Sequence, residues 1–485
     1  MSKSISRNYI YNLSYQIITL LTPLITTPYV SRVLGADGIG IYSYTTSVVT
    51  YFVILGTMGL SNYGQREIAY HRDDKHEQSR IFYEVCLFRL FSVFVSLTAY
   101  YWLVLRNVET NYLIFTIQAI NIFALIFDVA WFFQGLEEFG KVVFRNLLVR
   151  LISIICLFLL IDNHDDLWLY VCMNSSLVLF GGLLVCFYLP KYLELVSWQE
   201  IKIFRNWKIV MQLFIPQISI QIYTVLDKTM IGILTGIEAE NGYYEQAEKI
   251  VKICLMVVTS LGPVMMPRIA AAYAKKQYDD IKNYLIRSYR FVWLIGLPML
   301  FGLIASIDMV VPWFFGPGFD KVVPLVCIFS GLLLAIGINN VTGVQYLIST
   351  NKQNLFTYTV VIGASVNFAL NWLLIPAYMS IGAAIASVSA ETTIALVQFW
   401  FIRDICNFFD VMKSSRNYII GSIFMFLIML LVKNVMELCA STTSVCILFV
   451  VGVFAYGSVL FFTKDEFFRQ MGNKLIRRVR AKLCR

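Results

Sequence analysis

The stretch LFIPQISIQIYTVLDKTMIGIL, residues 213–234, decides the fold class of this chain. About 22 residues that each rise about 1.5 Å give roughly 33 Å, the thickness of a bilayer's hydrocarbon core, so the stretch predicts a transmembrane helix. Asp227 and Lys228 lie in its outer part. Each ionised side chain inside a spanning helix costs about 2.5–3.5 kcal/mol, so such residues face a wet cavity or form a structural ion pair. We take the cavity as the leading interpretation.

The composition of the whole chain supports the same class. Of the 485 residues, 58% are hydrophobic and 14% are charged, whereas soluble proteins are about 45–50% apolar and about 25% charged. The formal net charge of +9 does not indicate a nucleic-acid partner, because the basic residues lie in short loops between apolar runs and do not share one soluble face. An integral membrane protein is therefore predicted, and the first apolar run is expected to remain as its first helix.

Apolar windows recur along the chain and predict an all-α membrane protein with about 14 transmembrane helices. The windows of the first set of about six are 9–30, 41–60, 83–105, 112–133, 142–161 and 167–189. Those of the second set are 209–234, 247–267, 291–308, 322–348, 355–375 and 381–402. Two further windows are 418–435 and 443–462.

The two sets carry the same landmarks in the same order. These are a glycine pair, a tyrosine and a basic helix end, at Gly35, Gly40, Tyr42 and Arg66 and again at Gly236, Gly242, Tyr243 and Arg268. Because each set has an even number of spans, we expect a parallel repeat of two six-helix bundles around a central cavity. The predicted domains are 1–190 for the N-terminal bundle, 191–208 for a cytoplasmic linker, 209–403 for the C-terminal bundle, 404–463 for two additional helices, and 464–485 for a basic amphipathic cytoplasmic tail.

The distribution of basic residues predicts the orientation. With the amino terminus placed inside, about 30 of the 39 basic residues fall on the inner side, as the positive-inside rule requires. The predicted outer connections are acidic instead, for example at Asp165 and Glu240. Both termini are therefore expected in the cytoplasm. No loop is long enough for an independent soluble domain, so an attached catalytic module is not expected.

The charges inside the predicted spans are the candidate site residues. Basic residues are in surplus, so a cavity that they line would attract an anion such as a diphosphate. The substrate-binding candidates are Lys228, Lys252, Arg150 and Arg89. The ion-coupling candidates are Asp227, Asp128 and Glu391. Arg89, Asp128 and Arg150 lie at depths that allow them to meet on the inner side. For Arg89 alone, however, snorkelling to the headgroups is the favoured interpretation.

Several stretches together resemble the polysaccharide-exporting flippases of the Wzx type, in the superfamily that also includes multidrug extruders and lipid II flippases. They are LGADGIGIYSYTTSVVTYFVILGTMGLSNYGQREIA, LDKTMIGIL, GYYEQAEKI, MMPRIAAAY and VNFALNWLLIPAYMSIGAAIASVSAE. The resemblance implies translocation of an undecaprenyl-diphosphate-linked oligosaccharide to the outer leaflet of a bacterial plasma membrane, for a capsule or O-antigen. It also implies a coupling cation, H⁺ or Na⁺, contact with membrane lipids, and a polymerase and chain-length regulators in the same pathway.

Other functions remain as alternatives. A multidrug or cation extruder of the same superfamily would need an acidic, aromatic cavity, which the surplus of basic residues disfavours. A membrane-embedded polysaccharide polymerase typically has a sizeable outer loop, and the predicted outer loops are about fifteen residues or shorter. A structural scaffold gives no reason for costly charges inside the spans. No metal site, cofactor or enzymatic constellation is predicted, since the sequence has no phosphate-binding loop and no nucleophile placed beside a base.

Overall fold

The computed structural model of the protein describes residues 2–406, 411–412, 415–465 and 468, with side chains from residue 21 onwards except 215–217, 219, 220, 222 and 223. This described part is helical and contains no strand. It has 11 helices that are long and apolar enough to cross a membrane, or up to 12 if a bent pair counts as one span. The predicted all-α, multi-pass class is confirmed, whereas the number fourteen stays a prediction. Most of the predicted amphipathic tail, 464–485, lies outside the described residues.

The chain divides into two units, Met1–Gly242 and Tyr243–Arg485. The first contains eight helices among its described residues: α1 Ser2–Thr57, α2 Leu60–Tyr70, α3 Lys75–Tyr100, α4 Tyr112–Phe123, α5 Ala130–Gly135, α6 Phe139–Leu160, α7 Leu167–Cys186 and α8 Trp207–Thr235. Helix α8 packs on α1, although the sequence grouping assigns it to the second bundle. The predicted bundle boundaries depend on the repeat and remain a proposal.

The remaining helices belong almost entirely to the second unit. They are α9 Glu238–Val258, α10 Gly262–Ala274, α11 Tyr278–Phe314, α12 Val322–Phe329, α13 Leu332–Asn339, α14 Gln353–Tyr378, α15 Ser380–Ile402, α16 Arg416–Val435 and α17 Thr442–Phe462. A methionine-rich core formed by Met309, Met425 and Met429 joins α11 to α16. The two helices that follow the two predicted sets therefore pack within the second unit.

Left-handed glycines mark corresponding places in the two predicted sets. Helix α1 contains the first two windows and bends at Gly35, whose φ is 66°. Gly236 ends α8 with a φ of 64°. A residue with a Cβ adopts a positive φ only at a cost, so glycine is favoured at both places. The turn expected between Gly35 and Gly40 is therefore a single residue, because Gly40 already lies within the helix.

Four predicted continuous spans are irregular in the structure. The window 83–105 ends in a π-helical segment, Tyr101–Leu105. The window 112–133 is broken, because a 3₁₀ turn, Ala124–Phe127, follows α4 and Asp128 is extended with a ψ of 90°. The window 247–267 contains α9 and α10, which meet at a bend of 42°. The window 322–348 contains α12, α13 and a π-helical segment, Asn340–Ile348. Mean hydropathy does not register such breaks, because the residues on both sides are equally apolar.

An aromatic core holds the break at Asp128 in place. Trp131, Phe132 and Phe133 of α5 are 2%, 0% and 0% exposed and pack with Phe82 of α3. Gly64 of α2 lies against the Trp131 ring, and a Cβ there would be 2.4 Å from the ring atom Cε3. Close packing of this kind leaves the short helix α5 little freedom to move. The residues before it are therefore held in one position.

Candidate functional site

Asp128 and Arg89 meet at the break between α4 and α5. The Arg89 side chain is 2% exposed, and its Nη1 donates a hydrogen bond to the carbonyl oxygen of Asp128. Its Nη2 donates to Ser61 Oγ of α2 at 2.7 Å. Arg89 Nη1 also lies 3.7 Å from Asp128 Oδ2. Arg89 therefore binds a carbonyl that the break has released from the helix, and the snorkelling interpretation is wrong because its guanidinium is buried in protein.

A cavity with a partly polar lining lies on the other side of Asp128. Its volume is about 420 Å³, and it is bounded by the 3₁₀ turn after α4 and by α6 and α7. Its charged and polar lining among the described residues is Asp128, Arg145, Asn146, Arg150, Ser153 and Asn174. The structure thus places the predicted pair Asp128 and Arg150 in one cavity, with Arg89 directly behind Asp128. A cavity of this size is in the range of small-molecule sites.

Sequence reasoning missed Arg145 and Asn146. Arg145 Nε and Nη2 donate to Asn146 Oδ1 at 2.9 and 2.7 Å. A signal was available, because polar residues at 145, 146, 150 and 153 fall within about 140° of arc at about 100° per residue and so share one side of a helix. The count of charges within spans omitted Arg145, which lies only six residues after the start of α6.

Asp227 and Lys228 lie where α8 packs on the second half of α1. Ser47 Oγ and Thr229 Oγ1 are 2.9 Å apart, and the Tyr51 hydroxyl donates to Thr229 Oγ1 at 3.1 Å. Asp227 is 9% exposed and is within electrostatic range of Tyr51, whereas Lys228 is half-buried. Residues 213–234 therefore place a buried carboxylate, that of Asp227, beside a contact between hydroxyl groups of α1 and α8.

The second unit contains the two other candidates. Lys252 Nζ lies 2.8 Å from Glu248 Oε1, one turn earlier on α9, and its side chain is 57% exposed. Glu391 of α15 accepts a hydrogen bond from Asn339 Nδ2 at 2.5 Å. The same nitrogen donates to the main-chain carbonyl of Glu391 at 3.1 Å. Glu391 is thereby tied to the end of α13, where the π-helical segment begins.

A compact charged group lies outside the spans, where the chain enters α6. Lys141 Nζ is 2.5 Å from Glu138 Oε2 and 3.8 Å from the centre of the Tyr192 ring. Partial burial acts to raise the pKa of Glu138, but hydrogen bonds from Lys141 and Tyr192 outweigh it, and the net pKa is lowered. Burial is also the main reason that the pKa of Tyr192 is raised. Lys141 is thus held by its own carboxylate, before the first residue that lines the cavity.

Residues 5–273 match the family described as "Polysaccharide biosynthesis protein". The chain belongs to this family. It is also similar to a protein of Escherichia coli (strain K12) named "Putative O-antigen transporter", with 23% identity over 408 residues that cover 83% of this chain and 97% of that protein. The resemblance to Wzx-type flippases drawn from the sequence motifs is confirmed.

Solved structures show the fold. The lipid II flippase MurJ, in an inward closed conformation, superposes with a TM-score of 0.72 at 16% identity, over 94% of this chain and 99% of that one. A multidrug resistance MATE family transporter of the MOP superfamily, in an inward-facing conformation, gives a TM-score of 0.59 at 12% identity, over 82% of this chain and 99% of that one. At such identities the likeness extends to the fold alone.

Proposed function

We propose that the protein moves undecaprenyl-diphosphate-linked oligosaccharide repeat units from the inner to the outer leaflet of a bacterial plasma membrane by alternating access, for a capsule or O-antigen type of polymer. The observation that carries the proposal is the family match over residues 5–273. The name of the E. coli relative and the fold shared with a lipid II flippase support the class of substrate.

The chemistry of the substrate explains why charges inside the spans are needed. A diphosphate-linked sugar is polar and anionic, and its unaided passage through hydrocarbon would cost tens of kcal/mol. A hydrated path with basic walls lowers that cost, while the prenyl chain can remain in lipid. Arg145 and Arg150 on the cavity wall supply positive charge at membrane depth in the first unit.

The candidate residues receive different roles in this proposal. Arg150, Lys228 and Lys252 are proposed to contact the diphosphate or an acidic sugar as it crosses. Arg89 is proposed to act indirectly, because its guanidinium already binds the carbonyl of Asp128. Asp227 and Glu391 are the proposed sites for a coupling cation, whereas Asp128, the third candidate, lies among guanidinium groups that disfavour a cation.

Deletion of the gene tests the function. Cells without the protein should lose the surface polymer and accumulate its repeat unit attached to a prenyl diphosphate on the cytoplasmic side. Mass spectrometry of extracted lipids identifies the accumulated compound and names the sugar. Normal surface polymer, or accumulation of a lipid already exposed at the outer leaflet, would contradict the proposal.

Variants in the same cells test the residues. Arg150→Ala, Lys228→Ala, Lys252→Ala and Asp227→Ala should each reduce surface polymer while the amount of protein in the membrane stays normal. Loss of protein from the membrane would instead indicate a structural ion pair whose remaining charge is buried alone. Normal polymer with all four variants at normal abundance would exclude these charges from the path.

Cysteine labelling tests the proposed orientation. In a cysteine-free background, an impermeant reagent added outside should label probes at Asp165 and Glu109, and should not label probes at Lys75 and Lys276. All four positions are exposed. Glu240, also predicted to lie outside, is a poor probe because it is only 4% exposed. The reversed labelling pattern would overturn the assignment of both termini to the cytoplasm.

A further inference from the structure

Two glycines of α7 shape the wall of the cavity in the first unit, because they let neighbouring segments pack closely against this helix. A Cβ on Gly181 would lie 3.2 Å from Val149 Cγ2 and 3.7 Å from Arg145 Cδ. A Cβ on Gly182 would lie 3.0 Å from the carbonyl oxygen of Phe127. The two glycines therefore let the stem of Arg145 lie against α7 and let the broken end of the α4 span approach it closely.

The orientation of Arg145 is fixed by its neighbour in the chain. Two nitrogens of the guanidinium donate to Asn146 Oδ1 at 2.9 and 2.7 Å. A guanidinium that is held in this way loses little further freedom when it binds an oxyanion, and its planar fork matches the oxygens of phosphate. Asn174, on the opposite wall, is oriented by a 2.9 Å bond from its Nδ2 to the carbonyl oxygen of Tyr170.

The balance of charge in the cavity favours an anion. Two guanidinium groups, of Arg145 and Arg150, and one carboxylate, of Asp128, line it. Arg89 lies behind that carboxylate at 3.7 Å. In a wall of low dielectric constant such charges act over a longer range than in water. A cation would be repelled by three guanidinium groups, whereas an anion meets only the single carboxylate.

We propose that this cavity binds a phosphate or diphosphate group through Arg145 and Arg150, and that Asp128 is the resident carboxylate that keeps this binding weak enough for release. Leu125, Val149 and Leu177 also line the cavity and give it an apolar side, so a phosphate that carries a hydrocarbon chain fits better than a free one. The inference deepens the proposed function and rests on it only for the source of the phosphate group.

Calorimetric titration of the purified full-length protein in detergent tests the site. Inorganic diphosphate and farnesyl diphosphate are the probes. Arg145→Gln and Arg150→Gln should each weaken binding by about ten-fold or more, the effect of losing one charge-assisted hydrogen bond. Asp128→Asn should tighten it. Arg106→Gln is the matched control, because Arg106 lies on a loop 4.6 Å over the Trp102 ring and its loss should leave the affinity unchanged.

The control variants keep the test independent of folding. Unfolding midpoints identify any variant that has lost its structure, and Arg145→Lys, which keeps the charge but not the fork, should then show intermediate affinity. Tighter binding of farnesyl diphosphate than of diphosphate indicates a prenyl-linked ligand. Loss of diphosphate binding in phosphatidylglycerol nanodiscs indicates a phospholipid headgroup. Both results support a phosphate site and identify its source.

Three results would overturn the inference: no binding by the wild-type protein, unchanged affinity in both arginine variants, or weaker binding by Asp128→Asn. The last result would instead make Asp128 part of a cation site. A protein that binds diphosphate as expected but moves no lipid-linked sugar would contradict the proposed function and leave this inference standing. Transport of the lipid-linked sugar without diphosphate binding in the cavity would support the proposed function and contradict this inference.

Discussion

In the first unit the irregular stretch after α4 has arginines around it, whereas in the second unit the irregular stretch after α13 has amides and hydroxyls. The two stretches belong to the fourth window of each predicted set. Around the first are Arg89, Arg145 and Arg150. Around the second, buried polar side chains include Asn339, Thr342, Gln345 and Gln398, and the Glu391 carboxylate accepts a hydrogen bond from Asn339.

The difference separates two ways of stabilising an interrupted helix in a membrane. Backbone groups released by the interruption need partners, since water is absent from the hydrocarbon. A guanidinium supplies donors and brings positive charge, so the surrounding space suits an anion. The amides beside the second stretch are neutral, and the carboxylate of Glu391 makes its own surroundings suitable for a cation. We infer that, of these two stretches, the one after α4 is the better place for a phosphate and the one after α13 the better place for a coupling ion.

The largest expected effect is that of Arg89→Ala. The substitution leaves the carbonyl of Asp128 and the Ser61 hydroxyl without their buried donor, and should lower the free energy of unfolding by on the order of 3 kcal/mol. Arg89→Lys should not restore it, because one ammonium group cannot reach both acceptors in the same geometry. The measurements are membrane abundance and the thermal midpoint, with Arg106→Ala as the control. A stable Arg89→Ala protein that has lost transport would make Arg89 a substrate contact instead.

The sequence predicted the positions of the spans, but it did not predict the contacts between residues far apart in the chain. The apolar windows predicted where the spans lie, because the bilayer sets the length of each helix. They could not predict the break at Asp128, whose carbonyl is bound by Arg89, a contact between residues far apart in sequence. The depths of Arg89, Asp128 and Arg150 indicated that they meet on one side. The role of the glycines that make room for Arg145 could not be predicted, because it depends on which segments pack against them.

A second prediction compares two hydrogen-bonded side-chain amides, one in each unit. Asn339 donates to the carboxylate of Glu391, whereas Asn121 donates to neutral partners, Gln118 Oε1 at 2.7 Å and Ser175 Oγ at 3.0 Å. Bonds to charged groups are about twice as strong as neutral ones, so Asn339→Leu should cost about 2 kcal/mol and Asn121→Leu about 1 kcal/mol. Thermal midpoints of the two variants under the same conditions measure the ratio. Equal losses of stability in the two variants would mean that the bond from Asn339 to Glu391 is no stronger than a bond between neutral groups.

A third prediction concerns the glycine that lets the broken span approach α7. Gly182→Ala places a Cβ 3.0 Å from the carbonyl oxygen of Phe127, which is backbone and cannot rotate away, and should cost about 1 kcal/mol. The control is Gly457→Ala on α17, where a Cβ meets nothing within 4 Å and helix propensity should give a gain of about 0.5–1 kcal/mol. A stabilising Gly182→Ala would show that the irregular stretch of the first unit is looser than its packing indicates.

The smallest expected effect concerns Lys141. This lysine is paired with the carboxylate of Glu138, whereas Arg145 and Arg150, further along α6, line the cavity. The pKa of Glu138 in the folded protein is lowered from its ordinary value of 4.5, so its contribution to stability is fully present above that value and is lost as pH falls through the lowered pKa. Because the Glu138 side chain is 38% exposed, solvent screening limits this contribution to less than about 1 kcal/mol.

Thermal midpoints of wild type and Glu138→Gln, measured from pH 7 to pH 3, test this assignment. They should differ by a constant amount down to about pH 5 and converge at lower pH, as the wild-type carboxyl takes up its proton. Glu109→Gln, on an exposed loop, controls for the loss of one acidic residue. A difference that persists unchanged to pH 3 would mean that the carboxylate does not hold Lys141, and Lys141 would then join Arg145 and Arg150 as a cation available to an anionic ligand.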